Sequence, residues 1–370
     1  MLRLLVTLAC IPSFVLGSMR ADPRPFRNKQ PDGEWVPLKF HGDEHFHYYT
    51  DANGFTVMTD ENGYDVYADL NVTSGELISS GRRVGKVNPR KTGLRKRILP
   101  TREVIEKKCG EFCKEHHKIK KGNVRGGRKH DRRMAVSDGV LKNLVVLICF
   151  SDHKLSEQPP ESDLDLLFNS KGQKLIRNSK NVQIAKTGSV KDVFTTSSYG
   201  NLELESTIHP WVQLDKPQSY YTNGNSGLGS RLHEAMKEAL DAIDKGGLNW
   251  LDFDQDGDGI IDAITFLHSG YGAEFGGTDC NNKNDSDRIW SHKWSMRTWN
   301  SRTINNRQVA VSRYQISPAK WGTCGKSITR IGVISHEMGH NLGLEDHCEF
   351  FWDSFTFFNY QRIRLIFFDL

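Results

Sequence analysis

The stretch IGVISHEMGHNLGLED, residues 331–346, is the most informative part of this chain for its expected fold and chemistry. Residues four apart lie on one face of a helix, so His336 and His340 can present two imidazole nitrogens to one tetrahedral Zn²⁺. Glu337 follows the first histidine, and its carboxylate can project beside the metal and take a proton from the attacking water. We therefore predict a zinc hydrolase site with Glu337 as its catalytic base.

The rest of the stretch supports this prediction. A second, apolar face comes from Ile331, Ile334, Met338 and Leu342. Gly343 is a natural left-handed helix cap, which would turn the chain so that a residue near Asp346 supplies a third ligand. The competing interpretation is a core helix with two incidental histidines. It does not explain the glycine and the carboxylate that follow at regular spacing.

The amino terminus predicts secretion. Residues 1–17 combine one early arginine with a short apolar core, and Val15 and Gly17 suit the −3 and −1 positions of a signal-peptide cleavage site. The alternative is a retained membrane anchor, but the segment is short and polar sequence follows it. No later stretch approaches 18 uninterrupted apolar residues. We expect a secreted, extracellular protein with no stable membrane anchor.

Cysteines and sequons fit this compartment. Six cysteines follow the signal peptide, and an oxidising compartment permits disulfides, although the sequence does not define their pairing. Asn71-Val-Thr and Asn284-Asp-Ser are potential glycosylation sites, which support secretion only weakly because such triplets arise often by chance.

The chain divides by composition before the zinc motif. Residues 18–80 contain short β-prone stretches separated by Gly, Asn and Pro turns, which indicates a small β-rich unit. Residues 81–133 hold 20 Lys and Arg against 5 Asp and Glu, which favours a weakly folded basic linker. Few aromatic residues accompany these charges, so we expect no nucleic-acid partner.

We expect an activating protease to cut this linker, and residues 128–133 are the best candidate cleavage region. Cys109 and Cys113 there could block the metal as thiolates, or form a local disulfide, or remain free.

From residue 134 the sequence is typical of a globular domain. Residues 144–150 predict a buried strand, 163–187 mostly helix, and 230–243 an amphipathic helix. Residues 290–294 suggest an aromatic wall of the cleft, or simple packing. The glycine-rich run 270–277 could cradle an anion but lacks the spacing of a phosphate-binding motif.

An acidic loop lies within this domain. Alternating carboxylates with glycines at the turn suit a structural Ca²⁺, and the predicted ligands are Asp254, Asp256, Asp258 and Asp262. The loop is not an EF-hand, because its twelfth position, counted from Asp254, is Thr265. A solvated acidic turn is the alternative.

Taken in order, these pieces resemble the immune-inhibitor-A-like family of secreted zinc metallopeptidases. The similar stretches are Pro31-Asp-Gly, His41-Gly-Asp-Glu-His, residues 143–152, Ser198-Tyr-Gly, the acidic loop, residues 268–274, residues 289–294 and the zinc motif. The resemblance implies an α+β fold: a zincin-like catalytic domain over 134–346, with a twisted mixed sheet and an active-site helix, after a β-rich pro-domain. It also implies a zymogen acting on proteins or peptides.

The same resemblance implies that His336, His340 and Asp346 bind zinc, with Glu337 as general base; adjacent His347 is an alternative third ligand. After Asp346 the chain departs from the family, with no proline before that residue and no later methionine turn. We expect the phenylalanine-rich tail, residues 347–370, to be a truncated or misread end. Two other functions stay open: an inactive, calcium-stabilised secreted binding protein of the same fold, and a zinc amidase.

Overall fold

The computed structural model describes residues 21–22, 24–43, 46–105, 107 and 139–342, which form two main β-sheets with helices packed on the second. The predicted mixture of helices and strands is confirmed. The predicted signal peptide, the second half of the basic linker and the tail lie outside these residues. None of the helices in the described ranges is both long enough and apolar enough to cross a bilayer.

The first sheet is an antiparallel meander in which each strand pairs with the next. Its strands are β1 (Phe26–Lys29), β2 (Trp35–Gly42), β3 (His47–Thr50), β4 (Thr56–Thr59), β5 (Asp65–Leu70) and β6 (Leu77–Arg83). Gly33 and Gly63 have positive φ in two of the connecting turns, where a side chain would be strained. The sheet has its own apolar core, which contains Val36, Leu38, Phe55, Val57, Tyr67 and Val84.

This folded unit extends past residue 80, where the sequence placed the start of the linker. Strand β6 continues to Arg83, and Val84 and Ile98 are buried beyond it. The Thr56 hydroxyl donates a hydrogen bond to the Ile98 carbonyl at 2.8 Å, which holds this segment against β4. The boundary shifts because a charge count averaged over 81–133 hides the few apolar side chains that pack against the sheet.

The second sheet has the strand order β10-β7-β12-β14-β13. The first four strands are parallel, and β13 is antiparallel at the edge. The strands of this half of the chain are β7 (Gly139–Cys149), β8 (Ile176–Arg177), β9 (Gln183–Ala185), β10 (Leu202–Ile208), β11 (Val212–Gln213), β12 (Ala263–Tyr271), β13 (His292–Asn300) and β14 (Ala310–Lys320). The predicted buried strand at 144–150 forms the carboxyl half of β7, with Phe150 directly after it.

Helices cover both faces of this sheet. They are α1 (Glu161–Asn169), α2 (Val190–Ser197), α3 (Gln218–Thr222), α4 (Ser230–Lys245) and α5 (Ile331–Asn341). Because side chains alternate along a strand, Leu144 and Val146 of β7 pack towards α4, whereas Val145 and Leu147 pack towards α1, α2 and α5. The sheet is therefore buried on both faces, as parallel strands require.

The helix predicted over 163–187 is much shorter. Helix α1 ends at Asn169, and the short hairpin of β8 and β9 follows. Gly172 and Asn181 both have positive φ, a conformation that breaks a right-handed helix. Local apolar spacing suggested a continuous helix, but the turn residues determine the structure here.

Candidate metal centre

Helix α5 carries the zinc motif and is held by its apolar side. It begins after the connector that leaves the carboxyl end of β14. Its side chains Ile331, Ile334 and Met338 pack with α1, α2 and β7 in the core beneath the sheet. The Leu342 amide closes the last turn by donating to the Met338 and Gly339 carbonyls. Burial of this side determines the direction in which the histidines point.

The two predicted histidine ligands converge. Their Nε2 atoms lie 3.1 Å apart, and their rings are nearly perpendicular, with centroids 4.5 Å apart. Two nitrogens bound to one tetrahedral Zn²⁺ at 2.0–2.1 Å would be about 3.3 Å apart. His340 is 8 % exposed and His336 is half-buried, so the pair lies close to the surface. The arrangement fits a shared metal ion.

Glu337 lies between these histidines in the sequence and is fully buried. A carboxylate held in a site of low dielectric next to a metal position can act as a general base. The structure therefore brings three of the four predicted zinc-site residues onto one helix. The third predicted ligand, Asp346, and its alternative, His347, lie outside the described residues.

The first sheet reaches α5, which we call the metal helix because it carries the two predicted histidine ligands. Phe40 of β2 belongs to a buried apolar cluster with Ala273, Trp290 and Val333. Val333 lies three residues before His336, on the same side of α5. The cluster therefore places the first sheet beside the face of the helix that carries the histidines.

Trp290 is the centre of this contact and not an open wall of the cleft. The His47 ring stacks on it with centroids 5.0 Å apart, and the Phe40 ring lies 5.4 Å away. Trp290 is fully buried as a result. The sequence identified this tryptophan as notable but gave no sign that the first sheet would cover it.

The glycine-rich run also packs against the first sheet instead of showing an anion-binding geometry. A Cβ on Gly277 would lie 2.5 Å from Phe26, and one on Gly276 would lie 3.0 Å from both Phe26 and Phe40. Buried Arg288 donates to both glycine carbonyls, at 2.7 and 2.6 Å, and so holds this turn in place. The absence of side chains at 276 and 277 lets the aromatic rings approach the backbone.

Polar contacts complete the interface. The Asp22 amide donates to the Glu274 carbonyl at 2.8 Å, and the Thr278 hydroxyl donates to Asn28 Oδ1 at 3.1 Å. Burial, together with a hydrogen bond to Asp285, raises the pKa of Tyr49. The segment 273–291 is thus the platform on which the first sheet rests. Sequence reasoning missed it, although adjacent glycines beside aromatic residues were a possible signal.

The acidic loop brings together three of its four predicted ligands. Carboxylate oxygens of Asp254, Asp256 and Asp258 all lie within 4.8 Å of one another. Asp254 is buried and forms an ion pair with Arg307, while Asp262 instead accepts a hydrogen bond from the Gln255 amide. Protein groups thus already satisfy part of this cluster, and calcium binding stays a prediction.

The two sequons lie on turns. Asn71 is half-buried in the turn between β5 and β6, where its Oδ1 accepts hydrogen bonds from the Thr73 and Ser74 amides. Asn284 is exposed and precedes a short 3₁₀ turn in the platform, with its Oδ1 bound by the Thr278 hydroxyl. Glycosylation at both positions stays a prediction.

Comparison with known proteins identifies the family. The model of the immune inhibitor A peptidase M6 catalytic domain matches residues 134–353. Immune inhibitor A of Bacillus thuringiensis subsp. alesti is 28 % identical over 188 residues, which is 44 % of this chain and 26 % of that protein. Pre-pro-metalloprotease PrtV of Vibrio cholerae serotype O1 (strain M66-2) is 26 % identical over 211 residues, 50 % of this chain and 21 % of that protein. These alignments thus span about a quarter of the relatives' length, while the family model covers more than half of this chain. The chain belongs to the immune inhibitor A (M6) peptidase family.

Proposed function

We propose that this protein is a secreted zinc-dependent endopeptidase of zincin-like fold, made as a zymogen. The observation that carries the proposal is the convergence of His336 and His340, 3.1 Å apart at Nε2, on a helix whose intervening Glu337 is fully buried. Membership of a metallopeptidase family agrees with this geometry.

In the proposed reaction, zinc would activate the water and the peptide carbonyl, and the protein would hold the metal and transfer the proton. His336 and His340 would hold zinc, with Asp346 or His347 as third ligand, and bound zinc would lower the pKa of a water and polarise the peptide carbonyl. Glu337 would take the proton of the attacking water and return it to the leaving amine. The complete burial of Glu337 on α5 supports this role, because a buried carboxylate is shielded from bulk water.

The edge of the second sheet offers a binding surface for an extended protein or peptide substrate. Strand β13 is the antiparallel edge of the second sheet and lies against α5, and no described strand pairs with its outer edge. An extended peptide could add to this edge through main-chain hydrogen bonds, which would present its peptide bonds to the metal helix. This mode explains how one site could accept varied sequences.

The first sheet would keep the enzyme latent. It packs beside the histidine face of α5 through Val333 and Trp290, so it occupies space next to the metal position. Cleavage in the basic linker, by an activating protease, would cut its covalent link to the peptidase domain. The proposed cut near 128–133 and the thiols Cys109 and Cys113 lie outside the described residues.

Zinc content and casein hydrolysis, measured after trimming near Arg133, test the proposal. We expect about one zinc per chain, loss of zinc in His336→Ala, and retained zinc with at least about 100-fold less activity in Glu337→Gln. Glu76→Gln, at an exposed turn of the first sheet, is the control and should behave like the wild type.

Each contrary result has a distinct meaning. Full activity in Glu337→Gln would refute the mechanism. Zinc binding without hydrolysis of casein or of a peptide library would favour the inactive binding protein, and hydrolysis of small amides alone would favour the amidase.

A further inference from the structure

Two cysteines lie side by side on the connectors that flank the metal helix. Cys280 is in the connector between β12 and β13, and Cys324 is in the connector between β14 and α5. The Cys280 amide donates to the Thr323 carbonyl at 3.0 Å, so the two backbones are in direct contact at this point. Cys280 and Cys324 are 44 residues apart in sequence, so the fold is what brings them together.

The Tyr271 hydroxyl connects the surroundings of the two thiols. It lies 3.6 Å from Cys280 Sγ and 2.7 Å from the carbonyl oxygen of Gly325, the residue after Cys324. Burial raises the pKa of Cys280, but its contacts with Cys324 and Tyr271 outweigh burial and leave this pKa below its ordinary value. Both cysteines are exposed, whereas Cys149 is fully buried in β7.

We propose that Cys280 and Cys324 form a disulfide bond that fastens the connector leading into the metal helix. Their adjacent backbones, the Tyr271 hydroxyl that contacts both sides and the exposure of both cysteines carry the inference. Cys149 is the other cysteine in the described ranges, and it is fully buried at the end of β7. The sequence permits many pairings of six cysteines, and the structure places these two together.

The oxidation proceeds by exchange with a small disulfide such as oxidised glutathione. The Cys280 thiolate attacks one sulfur of that molecule, forms a mixed disulfide and releases one glutathione thiolate. The Cys324 thiolate then attacks Cys280 Sγ, the Cys280–Cys324 bond forms and the second glutathione leaves. Two electrons pass from the protein thiols to glutathione, and the two thiol protons end on the released glutathione.

The bond would reinforce the platform beneath the first sheet. Near the disulfide, the Trp321 ring packs edge-on against Phe275 with centroids 4.7 Å apart, and the Arg330 guanidinium lies 4.2 Å above Trp321. Arg330 immediately precedes α5. A covalent tie at Cys324 would therefore restrict the connector that positions the histidines. Formation of the disulfide in the cell depends on the proposed secretion, because it needs an oxidising compartment. The experiments below oxidise the purified protein and do not depend on secretion.

Peptide mapping tests the pairing directly. The full chain is refolded with a glutathione redox pair, free thiols are blocked with iodoacetamide, and the protein is digested and analysed without reduction. We expect one cross-linked peptide pair containing Cys280 and Cys324, with carbamidomethyl label absent from both. Label on both cysteines, or a link from either one to Cys109, Cys113 or Cys348, would overturn the proposal.

Thermal unfolding gives a second readout that is independent of peptidase activity. A disulfide that closes a loop of about 45 residues should raise the midpoint of a domain of this size by about 10 °C. The oxidised double variant Cys280→Ser/Cys324→Ser should therefore melt at about the temperature of the dithiothreitol-reduced wild type. The control variant Cys149→Ser should still show a higher unfolding midpoint in its oxidised form than in its reduced form.

The midpoints also define the opposite outcome. If the oxidised double variant and the oxidised wild type unfold at the same temperature, no stabilising disulfide exists between Cys280 and Cys324. An inactive protein that still shows the cross-link would count against the proposed peptidase function and leave the disulfide standing.

Discussion

At the scale of single residues, two histidines outside the metal helix are held neutral. His153 and His268 lie at the carboxyl ends of β7 and β12, where His153 Nδ1 is 2.8 Å from Ser269 Oγ and His268 Nδ1 accepts the Gly270 amide at 3.2 Å. Burial lowers the pKa of His153 to about 4 and that of His268 to about 3. Each imidazole is therefore uncharged in the folded protein across the physiological range.

These lowered values predict acid sensitivity. An unfolded histidine titrates near pH 6.5, so below that pH the unfolded chain binds protons that the folded chain does not. The contribution of His153 to stability is complete above about pH 6.5 and falls as the pH approaches its folded pKa of about 4. Over this window the free energy of unfolding should lose up to about 3 kcal/mol from this residue.

The variant His153→Gln isolates this effect. Urea unfolding of the wild type and the variant between pH 7 and pH 4 should give curves that converge as the pH falls, because the variant lacks the titrating group. Two parallel curves would mean that His153 binds protons equally in the folded and unfolded states.

At the scale of elements, the contact between strand β2 and the platform 273–291 can be tested with a matched pair of aromatic residues. Phe40 and Trp35 both lie on β2, but Phe40 is buried against Trp290 whereas Trp35 is 51 % exposed. Phe40→Ala should cost about 3–5 kcal/mol, because it leaves a cavity beside the metal helix. Trp35→Ala should cost far less.

Hydrogen exchange is the measurement for this pair. Phe40→Ala should speed exchange of the amides in 273–291, since that segment loses its cover. Trp35→Ala should leave their exchange close to that of the wild type. Unchanged protection in Phe40→Ala would show that the platform is rigid without the first sheet.

At the scale of the whole molecule, the described residues form two folding units with separate cores, joined by an apolar cluster and main-chain hydrogen bonds. A cut between residues 107 and 139 would leave these non-covalent contacts intact. We expect the two fragments to elute together on size exclusion at micromolar concentration. Elution as separate peaks would show that the covalent link, and not the interface, keeps the first sheet in place.

The sequence predicted the local features well. The spacing of His336 and His340 predicted a helix with both histidines on one side, the apolar run 144–150 predicted a buried strand, and the spacing over 230–243 predicted α4. The structure contains all three. Each of these follows from the regular period of one element, which the order of residues encodes directly. Family resemblance added the expected domain order but could not show which surfaces touch.

Longer-range features depended on the tertiary structure. The chain alone could not show that Phe40 would cover Trp290, or that Cys280 would meet Cys324, because these partners are tens or hundreds of residues apart. The helix expected over 163–187 ended early, because turn residues outweighed apolar spacing. The order of residues alone predicted a helix that carries His336 and His340 on one side, since residues four apart share a helix face. Only the fold decided what lies beside that face, since such contacts depend on how separate elements pack.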